Sequence, residues 1–102
     1  MTIAPNNTQQ IVLELKVRNH PGVMSHVCGL LARRAYNMEG IISLPMQDKT
    51  LSRIWLLLDK EARLEQLVKQ LNKLHDVLTV HRHGVDKRIY KRLQKIFVPK
   101  EI

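Results

Sequence analysis

Four short segments of the chain have the apolar patterning of β-strands. In residues 11–17 every odd position is aliphatic, and Glu14 and Lys16 lie between them, as in a half-buried strand. Residues 41–47 alternate again, residues 52–58 are apolar on both faces, and residues 77–82 complete the set. Pro45 has no N–H for a ladder hydrogen bond, so we predict that the second strand lies at a sheet edge.

Two other segments carry apolar residues three and four positions apart, which is the spacing of one face of an α-helix. The stripes consist of Met24, Val27, Cys28, Leu31 and Ala35, and of Leu64, Leu67, Val68, Leu71 and Leu74. Asn37, which tolerates a left-handed turn, and Gly40 are expected to end the first helix. Asp59 is expected to cap the second helix.

The order strand, helix, strand, strand, helix, strand predicts an α+β fold, the ferredoxin-like βαββαβ sandwich. Its four-stranded antiparallel sheet carries both helices on one face, because each half of the chain crosses over with the same hand. The other face is then uncovered by helices. Side chains predicted to point there include Val12, Ile41, Trp55 and Leu57.

Charge divides the 102 residues into three parts. Residues 1–10 are polar and are expected to be a flexible lead-in without the pattern of a signal peptide or membrane span, and residues 11–83 form the domain. Residues 84–102 are a basic tail that holds four of the +8 net charges. Apolar residues at helical spacing in this tail predict an amphipathic helix or a segment that orders on binding: Ile89, Leu93, Ile96 and Phe97.

A loop between the first strand and the first helix is the main candidate for ligand chemistry. Its sequence is Asn19-His20-Pro21-Gly22-Val23. The free N–H groups of a helix start bind anions, and Asn19 adds both an amide donor and a carbonyl acceptor. The loop could therefore hold the carboxylate and ammonium of a free amino acid, although an ordinary capped loop has the same composition.

Other reactive residues form no recognisable catalytic or metal site. His81 and His83 are spaced to share one strand face, with His75 upstream, but surface histidines explain the pattern as well as metal ligands do. The single cysteine, Cys28, lies among apolar residues and is expected to be a buried thiol. One unpaired cysteine suits a reducing compartment, and we expect a cytoplasmic protein.

Three segments of the sequence resemble the ACT domain of acetolactate synthase regulatory subunits, in particular the short, single-domain isozyme I type. They are Val17-Arg18-Asn19-His20-Pro21-Gly22-Val23-Met24, Gly29-Leu30-Leu31-Ala32-Arg33-Arg34-Ala35-Tyr36-Asn37-Met38-Glu39-Gly40 and Ile54-Trp55-Leu56-Leu57. The match extends through most of residues 11–83. The resemblance implies a noncatalytic subunit in branched-chain amino acid biosynthesis that binds and activates a large catalytic subunit and makes it sensitive to valine.

The resemblance also assigns partners and residues. It implies a homodimer with L-valine between two copies, bound by the loop of one copy and by Ile42 and Leu44 of the other. The loop positions are Asn19, His20, Pro21, Gly22, Val23 and Met24. Asn37 matches a position with an indirect effect on the valine response. Thiamin diphosphate, magnesium and FAD would belong to the large subunit, which condenses pyruvate with a 2-oxo acid, and this chain would hold no cofactor or metal.

Two features depart from the resemblance: Ala35 replaces a glycine often found there, and the chain lacks the second domain of longer regulatory subunits. Candidate residues for docking on the large subunit are Ile41, Trp55 and Leu57, on the face without helices. Two alternatives remain open: a nucleic-acid-binding protein that uses the basic tail, and a free-standing amino-acid or metal sensor. A low aromatic content of 4% makes nucleic acid the weaker alternative, since single-strand readers stack bases on aromatic rings.

Overall fold

A computed structural model describes residues 10–84 together with Arg88, Lys91, Arg92 and Lys95. Residues 10–84 form β1 (Gln10–Arg18), α1 (Val23–Arg33), β2 (Met38–Pro45), β3 (Leu51–Asp59), α2 (Leu64–Lys73) and β4 (Val77–His83). The predictions made for residues 1–9 and for the apolar stripe of the tail lie outside the described residues. In the tail, the four described cationic residues are helical and exposed.

The strands form one antiparallel sheet in the order β2-β3-β1-β4. This order confirms the ferredoxin-like prediction and places β2, with Pro45, at an edge. Alternate residues of the central strands β1 and β3 pack under the two helices and are fully buried: Leu13, Leu15, Val17, Ile54, Leu56 and Leu58. Each such side chain contributes roughly 1.5 to 3 kcal/mol relative to exposure, so this layer fixes which face of each strand points inward.

One strand has the opposite phase from the prediction. Met38 pairs with Leu58 and Gly40 with Leu57, so Glu39 is an extra residue in a β-bulge. The bulge turns every later side chain of β2 to the other face. Ile41 therefore packs against the core under the helices, and the prediction that it faces away from them is wrong.

The sheet face opposite α1 and α2 carries a small second apolar cluster. Val12 and Leu57 form its centre, and Ile42 and Trp55 pack against them. Val12 and Leu57 point to this face as predicted, but Val12 is 0% and Leu57 5% exposed, so their side chains themselves present little surface. Ile42 and Trp55 are half-buried and keep part of their surface accessible.

The ends of the helices also differ from the predictions. Ala35, not Asn37, takes the left-handed conformation after α1, with φ 53. Asp59 ends β3 instead of capping α2, and its carbonyl accepts a hydrogen bond of 2.9 Å from the Tyr36 hydroxyl. Neither α1 nor α2 has the length and apolarity that crossing a lipid bilayer would require.

Candidate functional site

The loop after β1 is held in place by the hairpin between β2 and β3. The backbone N–H of Asn19 donates to the carbonyl of Thr50 at 2.8 Å, and the side-chain Nδ2 of Asn19 donates to the carbonyl of Lys49 at 3.0 Å. These bonds commit the amide donor of Asn19 to the hairpin. Its Oδ1 accepts no hydrogen bond from any residue that the structure describes, so the acceptor remains available to a ligand.

Helix α1 begins without a side-chain cap. Gly22 occupies the cap position at φ 97, a left-handed conformation that favours glycine. Within the described chain, no acceptor is bonded to the backbone N–H groups of Gly22, Met24 or Ser25, whereas Val23 N–H donates to the carbonyl of His20 at 3.3 Å. The helix dipole and these free donors together favour an anion at this point.

Side chains of the loop differ in what they offer to a ligand. Val23 is 8% exposed and packs into the core, so it contributes backbone rather than side chain to the loop surface, whereas Met24 packs against the same core but is only half-buried. Pro21 is exposed, and its carbonyl accepts a hydrogen bond from His20 Nδ1. Among residues 19–24, the hydrogen-bonding groups left unused by the described chain are thus Asn19 Oδ1 and backbone N–H groups.

His20 also contacts an acid that the sequence did not single out. His20 Nε2 lies 2.6 Å from Asp76 Oδ1, and His26 Nδ1 lies 3.5 Å from Asp76 Oδ2. The hydrogen bond to Asp76 raises the pKa of His20 above 6.5, and the same bond lowers the pKa of Asp76. Asp76 comes next to the loop because its own carbonyl accepts from Arg18 N–H at the end of β1.

The candidate partner-facing residues lie on edge strand β2. Leu44 is 53% exposed, and Ile42 belongs to the second apolar cluster. Next to Leu44, an open depression is lined by Pro45, Met46, Gln47, Arg53 and Trp55. Asn37 lies beyond the other end of β2, where its amide Nδ2 bonds to Glu39.

The sheet face opposite α1 and α2 combines the apolar cluster with charged groups. Glu14 accepts a hydrogen bond of 3.0 Å from Arg53 Nε and lies 2.7 Å from His83 Nε2. The Arg53 guanidinium lies 5.9 Å from the centre of the Trp55 ring. The indole Nε1 of Trp55 is buried and has no hydrogen-bond partner in the described chain, which is costly unless a further group supplies an acceptor.

Metal-binding and nucleophilic chemistry find no support in the described residues. Residues 10–84 and the four described tail positions contain no group of three or more His, Cys, Asp or Glu side chains that could hold a metal ion. His83 is instead paired with Glu14. Cys28 is a free thiol that is half-buried rather than buried as predicted.

The chain matches the family model described as the AHAS small subunit-like ACT domain over residues 13–79. It is 53% identical over 87 residues to the acetolactate synthase isozyme 1 small subunit of Escherichia coli (strain K12), covering 85% of this chain and 91% of that protein. It is 36% identical over 86 residues to the isozyme 3 small subunit of the same strain, covering 83% of this chain and 53% of that protein.

A solved structure agrees with the sequence matches. The crystal structure of the acetolactate synthase small subunit from Thermotoga maritima superposes with a TM-score of 0.66 at 27% identity, covering 91% of this chain and 70% of that chain. An ACT domain from the GTP pyrophosphokinase of Chlorobium tepidum shares the fold at 18% identity with a TM-score of 0.60. The chain therefore belongs to the ACT-domain family of acetolactate synthase small subunits, and the role that this family supports for it is regulatory.

Proposed function

We propose that the chain is a cytoplasmic, noncatalytic regulatory subunit that binds L-valine as a homodimer and transmits valine feedback inhibition to a catalytic large subunit of acetolactate synthase. The observation that carries the valine site is the pairing of two unused functions in one loop. Backbone N–H groups of Gly22, Met24 and Ser25 have no acceptor among the described residues, and Asn19 Oδ1 has no donor. A free amino acid supplies both, since its carboxylate accepts and its ammonium donates.

Backbone geometry suits the carboxylate. Gly22 has no side chain, so an oxygen can approach the backbone closely, and Pro21 stiffens the entry to the helix. The ammonium would bond to Asn19 Oδ1, whose amide is oriented by the bond from Nδ2 to Lys49. Hydrogen bonds to charged groups contribute about 1.5 to 3 kcal/mol, so each end of the zwitterion adds measurably to affinity.

The apolar part of the site would come from a second copy. Leu44 is 53% exposed on β2, an edge strand that pairs only with β3 in the described sheet. An isopropyl group has three carbons, and burying it against Ile42 and Leu44 of the second copy contributes about 2 to 3 kcal/mol at about 0.8 per carbon. One methylene changes binding by only about 1 to 3 kcal/mol, so leucine and isoleucine should bind more weakly without being excluded.

Docking on the large subunit is assigned to the sheet face around Trp55. Trp55 and Ile42 beside it are half-buried, so both side chains retain accessible surface that a partner can cover. Leu57 contributes only as support, because it is 5% exposed, and Ile41 contributes nothing because it faces the helices. Thiamin diphosphate, magnesium and FAD, and all bond-making steps, are assigned to the large subunit.

Calorimetry with the purified chain tests the valine site. L-valine should bind the wild-type protein, and Asn19→Ala should weaken the affinity by about 10-fold or more, as expected for the loss of a hydrogen bond to a charged group. Asn72→Ala is the matched control, since Asn72 is an exposed asparagine on α2 whose amide bonds to the carbonyl of Val68 within the same helix. Asn72→Ala should leave the affinity unchanged.

The oligomeric state is read from the same samples by analytical ultracentrifugation. Asn19→Ala should remain as dimeric as the wild type, because its contacts are within one chain. No heat of binding with the wild-type protein at saturating valine would refute the valine site. Equal affinities for wild type and Asn19→Ala would refute the ammonium contact while leaving the site itself in place.

A second function, binding of nucleic acid, is favoured by one observation only. Arg88, Lys91, Arg92 and Lys95 are each helical and exposed, and cationic side chains of this kind suit phosphate contacts. Against it, the described chain offers no exposed aromatic ring for base stacking, since Tyr36 is 5% exposed and Trp55 is half-buried. Retardation of single-stranded DNA that disappears as salt is raised would support this function in place of the first.

A further inference from the structure

Asp76 is a buried carboxylate whose charge is balanced by histidines. It lies in the turn between α2 and β4, and its side chain is 6% exposed. His20 and His26 contact one oxygen each, at 2.6 and 3.5 Å. Among the described residues no lysine or arginine forms an ion pair with Asp76, so the state of its partners depends on pH in the range where histidine titrates.

The two contacts of His20 favour the doubly protonated ring. Nε2 lies 2.6 Å from Asp76 Oδ1, and Nδ1 lies 2.5 Å from the carbonyl oxygen of Pro21. A carboxylate and a carbonyl only accept hydrogen bonds, so each ring nitrogen needs a hydrogen. Neutral imidazole has one, and only the doubly protonated ring satisfies both contacts.

We propose that Asp76 is a positioning residue of the valine site, which acts through the imidazolium of His20 to hold the turn at Pro21 and Gly22 so that the free N–H groups of Gly22, Met24 and Ser25 can receive the effector. The proposal rests on the proposed function, since it concerns the same loop. Asp76 belongs to the far end of the domain sequence and forms polar contacts with His20 in the loop, His26 on α1 and the backbone of Arg18 at the end of β1. It thereby ties the start of α1 to the turn that follows α2.

Titration of His20 then controls the loop. The charged groups that act on His20 and Asp76 are Arg18 at the end of β1, His26 on α1 and His75 beside Asp76. Arg18 opposes protonation of His20, while the hydrogen bonds to Asp76 and Pro21 favour it and raise the pKa above 6.5. His20 therefore keeps its hydrogen bonds to both Asp76 and Pro21 below pH 6.5, and it loses one of them as the pH rises through the higher pKa of His20 in the folded protein.

Valine affinity should follow the same course. When His20 loses a proton, either Asp76 or the Pro21 carbonyl loses its donor, and the loop is less well ordered before binding. Linkage requires the reverse effect as well, so bound valine should raise the pKa of His20. The dissociation constant for valine should rise by about 5-fold or more between about pH 6 and about pH 9. A factor of about 5 is the lower end of ordinary coupling between two sites.

The experiment combines NMR titration of the His20 ring with calorimetric valine binding, from about pH 5.5 to about pH 9 around the ordinary histidine value. Asp76→Asn should lower the pKa of His20, weaken valine binding near pH 6 and flatten the pH dependence. Asp76→Glu should restore part of both. Glu65→Gln is the control, because Glu65 is an exposed acid paired with Arg82 on another surface.

A variant of His20, the other residue of the contact, keeps the test possible if Asp76→Asn does not fold. His20→Gln alters an exposed side chain and should abolish the pH dependence even if Asp76→Asn does not fold. The proposal is overturned if valine binds the wild-type protein and a folded Asp76→Asn or His20→Gln variant with the same affinity and with the same dependence of that affinity on pH. Absence of valine binding to the wild-type protein at every pH would instead refute the proposed function, and this inference with it.

Discussion

Replacing Ala35 by glycine should stabilise the protein. Ala35 follows α1 with φ 53, a conformation in which Cβ approaches the following carbonyl and which costs a non-glycine residue about 1 to 2 kcal/mol. The hydrogen bonds of this helix end do not depend on the side chain. Ala35 N–H donates to Ala32 at 3.0 Å and Tyr36 N–H to Leu31 at 2.9 Å, as in a Schellman motif.

The size of the gain follows from two opposing terms. Glycine removes the strain of about 1 to 2 kcal/mol but adds about 0.4 to 1 kcal/mol of backbone entropy to the unfolded chain. The net gain is about 1 kcal/mol. Arg63 continues to donate to the carbonyls of Arg34 at 2.6 Å and Ala35 at 3.2 Å, so the substitution loses no contact of the helix end.

Urea denaturation at fixed protein concentration measures the effect, since dimerisation would make stability depend on concentration. Ala32→Gly is the matched control: it is the same substitution, also exposed, in the last turn of the same helix. There glycine should cost about 1 kcal/mol. The two variants should differ by about 2 kcal/mol in free energy of unfolding, and a loss of stability in Ala35→Gly similar to that in Ala32→Gly would refute the reasoning.

Two further outcomes follow from single contacts. Tyr36→Phe removes the hydroxyl that donates to the carbonyl of Asp59 at 2.9 Å, and should lower the free energy of unfolding by about 1 kcal/mol in urea denaturation; an unchanged midpoint would contradict the importance of that bond. Trp55→Ala should weaken capture of the large subunit by roughly 30-fold or more, as for an interface hot spot. Trp55→Phe isolates the Nε1 donor, and wild-type capture by both variants would exclude this face as the docking surface.

The strands could be predicted from the sequence because burial on one face imposes a period of two. The strand predicted over residues 11–17 is β1 (Gln10–Arg18) in the structure, and the strand predicted over residues 52–58 is β3 (Leu51–Asp59). The phase of β2 could not be predicted in this way. Ile41 and Ile42 are both isoleucine, so either phase places an apolar residue under the helices, and the bulge at Glu39 selects between them.

The residue that ends α1 could not be predicted from the sequence for a different reason. Asn37 and Gly40 are the residues that tolerate left-handed turns, and composition alone therefore favoured them. The position of the turn is instead set by the buried ring of Tyr36, which is 5% exposed and must follow α1 directly into the core. Burial of the Tyr36 side chain thus outweighs the preference of Asn37 and Gly40 for a left-handed turn, and Ala35 adopts the strained conformation.

The candidate site was predictable in place but not in mechanism. Sequence pattern locates the loop between β1 and α1, whereas its anchors come from the hairpin turn at Lys49 and Thr50 and from Asp76, which are distant along the chain. Sheet order brings those segments together, because β1 pairs with both β3 and β4, and the residues beyond its end meet the turns before both strands.

The anchors also explain why the loop keeps donors free for a ligand. Carbonyls of Thr50 and Asp76 accept from the backbone N–H groups at the end of β1, and that of Lys49 accepts from the Asn19 side chain. The bonds are thus made before the turn at Gly22, and the N–H groups that start α1 receive no acceptor from the same elements. Rigidity and recognition therefore use different donors of one short segment, so a ligand can bind without breaking the contacts that order its site.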